Sequence, residues 1–269
     1  VAGGSLFVGL LDGRLVAISV QTGNPIWEFR TAQPIRSSPA VNDGVLYIGS
    51  SDHRLYAIDA STGRKRWDFE TGGRITSDPS INEQQVVVTS QDNFVHFIDI
   101  RTAKRRFDYE VSLTNGSAAI AGDSVFVSDM SGTIRRIRWD EREWPFEKAL
   151  RATRRWMFRW GMTNRLPPQK GVVWVSTERG QSFVGTPAVD RTTVYSSTAA
   201  GMIIAYDRDT GVKLWQSHVA SSLLTIPTIA GNQVLVGSQD GTVWSLEAST
   251  GIVSWKSAVD GGIDDGIAV

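Results

Sequence analysis

The chain has 269 residues, 41% of them hydrophobic, which is enough to bury a sizeable core without external staples. Lysine plus arginine match aspartate plus glutamate at 28 each, so no global field selects nucleic acid or acidic substrates. Cysteine is absent, which excludes disulfides, thiolate metal sites and cysteine nucleophiles and leaves the compartment open. No run of about 18 apolar residues occurs, and the chain opens at Val1 without initiator Met, signal peptide or lipid-attachment cysteine, as a mature or excised fragment would.

In chain order, the first signal is a repeat. Asp12-Gly-Arg-Leu-Val-Ala-Ile leads into Thr22-Gly23 and Trp27, and a close copy follows 40 positions later, from Asp52-His53 through Asp59 to Thr62-Gly63 and Trp67. A third copy runs from Asp92 through Asp99 to Thr102-Ala103 and Phe107, with Ala in place of Gly and Phe in place of Trp. Further copies begin at Ser131-Gly132, Ala200-Gly201 and Asp240-Gly241, and the last two end in Thr210-Gly211 with Trp215 and Thr250-Gly251 with Trp255. Alternating apolar runs such as residues 45–48 and 55–58, separated by Gly, Asp, Asn and Ser, read as short antiparallel strands, four to a unit. Such a sheet cannot cover both of its own faces, so the units must stack radially. The expectation is an all-β chain: residues 1–269 form one six-bladed β-propeller of four-stranded antiparallel blades, with seven blades as the alternative.

The large rings at Trp27, Trp67, Phe107, Trp215 and Trp255 are expected to fill the wedges between blades, and the Thr-Gly pairs suit turns with a positive backbone angle. Residues 263–269 match residues 35–41, and residues 4–9 match 44–49, so the C-terminal segment is expected to pair with the N-terminal strand and close the ring. Asp59, Asp99, Asp207 and Glu247 share one repeat position and read as turn acceptors rather than a paired-carboxylate site. His53, His96 and His218 lack metal-ligand spacing, and no phosphate loop or nucleophile elbow occurs. No catalytic, cofactor or metal residue is therefore assigned. Ser37-Ser38, Ser77-Asp78, Gly116-Ser117, Gly185-Thr186 and Thr225 should converge near one channel mouth, either as close-packed small residues or as a seat for a small polar ligand.

The repeat spacing breaks once, with 69 positions instead of 40 between Ser131 and Ala200. The insertion, residues 140–182, is basic and tryptophan-rich: Arg135 to Arg179 hold twelve basic residues against five acidic ones, and Trp139, Trp144, Trp156, Trp160 and Trp174 are five of the ten tryptophans. Residues 144–161 are predicted as a helix with Pro145 in the first turn, Phe146, Leu150, Met157 and Trp160 along one stripe, and arginines opposite. Residues 165–169 form an extended spacer. Either the stripe caps the propeller and the arginines are solvated, or the insertion docks a partner through Trp144, Arg151, Arg154, Arg155, Trp156, Arg159, Trp160 and Arg165. Trp and Arg are enriched at interface hot spots, which favours a protein partner over an anionic membrane surface. Nucleic acid is disfavoured because no continuous basic face is present.

The pattern Gly-Ser-x-Asp-Gly-x-Leu-x-Ala-Ile-Asp-x-x-Thr-Gly-x-x-x-Trp-x-Phe, carried by residues 49–69 with His53 in place of Gly, resembles the pyrroloquinoline-quinone-like repeat. Proteins with this repeat include quinoprotein alcohol dehydrogenases, a lipoprotein of outer-membrane barrel assembly, and sensor domains. The resemblance implies a propeller and an extracytoplasmic setting, the periplasm or cell surface. The dehydrogenases carry an adjacent cysteine pair against their cofactor, and its absence here argues against a bound quinone. The expected function is a non-catalytic scaffold that docks a protein partner or another part of its own assembly. The alternatives are a ligand-sensing domain fused to an effector and a divergent quinone-dependent oxidoreductase.

Overall fold

A computed structural model describes residues 2–114, 116–140, 146–162, 169–220, 225–263 and 266–267. It is a six-bladed β-propeller whose sheets follow one another in chain order. The first blade holds β1 (Ser5–Gly9), β2 (Arg14–Ser19) and β3 (Pro25–Arg30). The second is β4 (Ala40–Asn42), β5 (Val45–Gly49), β6 (Arg54–Asp59) and β7 (Lys65–Glu70), and the third β8 (Ser80–Ile81), β9 (Gln85–Ser90), β10 (Phe94–Asp99) and β11 (Arg105–Glu110). The fourth is β12 (Ala119–Ala121), β13 (Ser124–Ser128), β14 (Thr133–Arg138) and β15 (Val172–Thr177), with helix α1 (Glu147–Arg159) between its last two strands. The fifth is β16 (Phe183–Val189), β17 (Thr193–Thr198), β18 (Met202–Asp207) and β19 (Lys213–His218). The sixth is β20 (Thr228–Ala230), β21 (Gln233–Gly237), β22 (Thr242–Glu247) and β23 (Val253–Ala258).

Two turn chemistries repeat. The Asp-Gly turn puts its second residue in the left-handed region, at φ 86° for Gly13, 71° for His53, 69° for Asn93 and 81° for Gly241. The Thr-Gly turn does the same at Gly63, Gly211 and Gly251 and, without a glycine, at Ala103 with φ 55°. Beyond that turn each outer hairpin carries a register shift at one fixed place, for example Ala17/Ile18, Ala57/Ile58 and Ala205/Tyr206, and such bulges increase the local twist.

The core is divided into layers between neighbouring blades. Leu15 and Ala17 of the first blade pack with Leu46, Ile48 and Ile58 of the second, and Tyr47, Leu55 and Ala57 of the second with Val86, Val88 and Ile98 of the third. Phe97 and Phe107 meet Val125, Val127 and Ile137 at the next junction, and Trp174 meets Val194, Ile204 and Tyr206 at the one after. Among the described residues no such cluster joins the sixth blade to the first, and Leu6, Val20 and Val253 are exposed on those two flanks.

The strand expected to close the ring would end on Ala268 and Val269, which lie outside the described residues. At Ile263 and Ile267 the C-terminal segment repeats contacts made by the other inner-strand segments. A Cβ on Gly9, Gly49 or Gly237 would lie 2.4, 2.3 or 2.6 Å from Ile35, Ile75 or Ile263, so the same close approach recurs three times. Thr228 Oγ1 donates to the Ile267 carbonyl, as Ser80 Oγ donates to that of Ala118. The longer spacing between Ser131 and Ala200 does not hold the alternative seventh blade: residues 172–177 are β15, the outer strand of the fourth blade, and Phe183 opens β16, the inner strand of the fifth.

Candidate docking surface

Blade junctions set the platform. Trp27 Nε1 donates to the Ala60 carbonyl at 3.0 Å, Trp67 to Ile100 at 3.2 Å and Trp215 to Ala248 at 3.0 Å, each reaching the next blade. The ring lies directly on the glycine of that blade's Thr-Gly turn: a Cβ on Gly63 would sit 2.7 Å from Trp27, and one on Gly251 2.4 Å from Trp215. The glycine is thus required twice, by its positive φ and by the ring above it. Phe107 is 1% exposed and stacks on Phe97 at 4.1 Å. Trp255 differs, being 48% exposed, and Gly23 of the first blade has nothing within 4 Å of where its Cβ would be.

Sequence reasoning counted Trp174 with the insertion, yet its Nε1 donates to Arg208 at 2.9 Å and its ring covers Gly211, so it is the junction tryptophan of the fourth blade. A signal for it exists: Trp27 precedes Gly63 and Trp215 precedes Gly251 by 36 positions, and Trp174 precedes Gly211 by 37. The true excursion is therefore shorter than residues 140–182. In the second blade Asp59 N donates to Arg64 O across the hairpin turn, and in the fourth Arg138 N donates to Gly171 O, so residues 139–170 replace a tight turn.

Both ends of this excursion are anchored. Trp139 Nε1 donates to Gly122 O at 2.8 Å and its ring packs on the core layer between the third and fourth blades. Gln169 grips the outer strand of the third blade, accepting from Glu110 N at 2.7 Å and donating to Glu110 O at 2.7 Å. Helix α1 starts later than the sequence suggested: Phe146 is its N-cap, at φ 72°, and Trp144 and Pro145 lie outside the described residues, as does Arg165. The side chains of Arg151 and Arg155 are likewise outside them.

The described part of the stripe does not cap the propeller. Phe146 is 82% exposed, Leu150 59% and Trp160 69%, and Met157 alone is half-buried. Trp156 and Phe158 are exposed as well, and the Trp156 and Trp160 rings lean on each other at 6.1 Å. Arg154 and Arg159 are exposed and have no carboxylate partner among the described residues. Burying this helix against the propeller would have removed apolar area from water, so its exposure leaves that free energy available to a partner.

The repeated carboxylates are occupied by their own turns. Asp59 Oδ1 accepts from the backbone and hydroxyls of Ser61 and Thr62, and the Arg66 guanidinium on its other oxygen is the main reason its carboxyl is held well below the usual range. Asp99 and Asp207 accept from their own Thr turns, and Glu247 from Ser249 and Thr250. In the inner-strand segments Ser37 and Ser77 bond the Gly49 and Thr89 carbonyls of their own blades. Ser38 N donates to Asp78, Asp78 N to Ser117 Oγ, and Ser117 N to Thr186 Oγ1, so successive inner strands are tied together. A small cleft of about 270 Å³ lies elsewhere, between the second and third blades beside Tyr47, Arg66 and Trp67. Among the described residues no group of three or more His, Asp or Glu side chains is arranged to hold a metal ion, and no helix is long and apolar enough to cross a membrane.

Comparisons with known proteins bear on this architecture. The outer membrane protein assembly factor BamB of Yersinia pestis is 34% identical over 115 residues, 36% of this chain and 28% of that protein. That of Escherichia coli (strain K12) is 29% identical over 85 residues, 28% of this chain and 22% of that protein. The matched segments thus span less than a third of these relatives. The crystal structure of BamB from Moraxella catarrhalis superposes with a TM-score of 0.77 at 18% identity, over 99% of this chain and 74% of that one. The computationally designed Ika8 protein gives 0.77 at 15% identity, over 98% and 75%, and both likenesses speak to the fold alone. A family profile described as outer membrane protein assembly factor BamB matches residues 11–144 and 153–265, nearly the whole repeat array, and the chain belongs to that family.

Proposed function

We propose that the chain is a non-catalytic propeller scaffold that docks a protein partner in outer-membrane protein assembly, the process named for its relatives. The single observation that carries this reading is α1: an amphipathic helix held at both ends of its excursion, with Phe146, Leu150, Trp156, Phe158 and Trp160 turned out to solvent. Trp144, Arg151, Arg154, Arg155, Trp156, Arg159, Trp160 and Arg165 are the proposed contact residues. Aromatic and arginine anchors concentrate binding energy, and a rigid platform lowers the entropy cost of presenting them. Family membership supports a binding role over catalysis.

The test replaces residues 140–168 with a short Gly-Ser linker, which keeps the anchors Trp139 and Gln169, and compares partner capture and melting with the parent. A variant that melts like the parent and loses capture is expected. Full capture by the folded variant would move docking elsewhere on the propeller.

A further inference from the structure

The basic and apolar residues of α1 are not cleanly segregated. Leu150, Arg154 and Phe158 follow one another at four-residue steps, so they form one column along the helix. Leu150 is 59% exposed and Phe158 37%, and Arg154 between them is exposed with no partner among the described residues. Any surface that covers the two apolar side chains must also cover the guanidinium lying one turn from each. A hydrocarbon layer would strip water from Arg154 and offer no acceptor in return, whereas an interfacial helix keeps its cations on the opposite face. A protein groove can place a carboxylate there and form the bidentate pair for which a guanidinium is shaped.

From this column we infer that α1 seats in an apolar groove of a protein partner that carries an aspartate or glutamate, with Arg154 meeting that carboxylate between Leu150 and Phe158. The inference rests on the docking reading above and names the partner's chemistry. The helix and its flanks supply the charge complementarity, since residues 135–179 hold twelve basic against five acidic side chains. Trp156 and Trp160, already leaning together, would form the adjoining aromatic wall of the contact.

A photoreactive phenylalanine analogue at position 150 of the whole chain, expressed in its own cell type, tests this. A second copy of the experiment carries the analogue at exposed Val212, in the turn of the fifth blade between β18 and β19. The expected product at position 150 is one protein whose cross-linked peptide lies within a turn or strand step of an Asp or Glu. With that partner purified, Arg154→Gln should weaken binding at least tenfold, and so should changing the partner's carboxylate to its amide. The two changes together should cost no more than either alone, and Arg154→Glu with the reciprocal basic change should restore binding. Cross-links to phospholipid, or to a protein surface without a carboxylate, or additive losses in the double variant, would overturn the carboxylate groove while leaving α1 as the docking element. Cross-links at position 212 and none at position 150 would overturn the docking reading itself.

Discussion

His96 is 2% exposed and lies between two carboxylates, with Nδ1 2.8 Å from Asp108 and Nε2 3.0 Å from Asp92, while Arg105 reaches Asp108 along their shared strand, β11. Burial pulls the imidazole's pKa down, but hydrogen bonds to Asp108 and Asp92 outweigh it and hold the pKa above the ordinary value. Burial pushes Asp92 up, but its hydrogen bond and charge attraction to His96, with the Gly72 and Phe94 backbone donors, together outweigh that and hold it below the usual range. A raised histidine pKa contributes stability that is complete below about pH 6.5, the unfolded value, and is lost as pH rises through the folded one. The Asp92 contribution is complete above about pH 4 and is lost on acidification. Urea unfolding should therefore show stability falling from pH 6 toward pH 9, and His96→Gln should flatten that slope. An unchanged slope in the variant would place the titration elsewhere. A second residue-scale expectation concerns His53, which holds φ 71° where four of the five corresponding turns use glycine and the third blade uses Asn93. Its carbonyl accepts from Thr71, which a glycine would preserve, so His53→Gly should stabilise by about 1 kcal/mol in chemical denaturation.

At the scale of the element, the junction tryptophans separate into two kinds. Trp67 is packed in the layer between the second and third blades and bonded across it, so Trp67→Ala should cost about 3 to 5 kcal/mol, and Trp174→Ala a similar amount. Phe107→Ala belongs with them, because that ring is stacked and 1% exposed although its repeat is degenerate. Trp255 is 48% exposed, and Trp255→Ala should cost only about 1 kcal/mol. Equilibrium unfolding of the four variants ranks them. Equal losses at Trp67 and Trp255 would mean that the outer face of β23 is covered in solution.

For the whole molecule, the C-terminal segment and the insertion make opposite predictions. Deleting residues 259–269 removes the Val259 N bond to Gly241 O and the Ile263 side chain packed against Gly237, so cooperative melting should be lost or aggregation should follow. A truncated chain that melts like the parent would count against a ring closed through its C-terminus. Changing Arg154 and Arg159 to Gln, by contrast, touches exposed groups without carboxylate partners among the described residues and should leave the melting temperature in place. Scanning calorimetry on both variants reads these outcomes side by side.

The repeat, the number of blades and the turn positions were legible in the amino-acid sequence, because each depends on residues a few positions apart: Asp-Gly and Thr-Gly turns, alternation along short strands, and a 40-residue period. The role of Trp174 was hidden because the insertion separates it from its own repeat's turn, and its defining contact is with Arg208 on the next blade. The bonds of the inner-strand hydroxyls of Ser37, Ser77, Ser117 and Thr186 were not legible, since their partners lie on other strands or other blades, as with Ser117 and Thr186. The stripe on α1 was readable as amphipathic, but amphipathicity is a property of the helix alone. Whether its apolar residues face the propeller or the solvent is a matter of packing between distant segments, and only the tertiary structure decided it, by anchoring Trp139 and Gln169 and leaving Leu150 and Trp160 exposed.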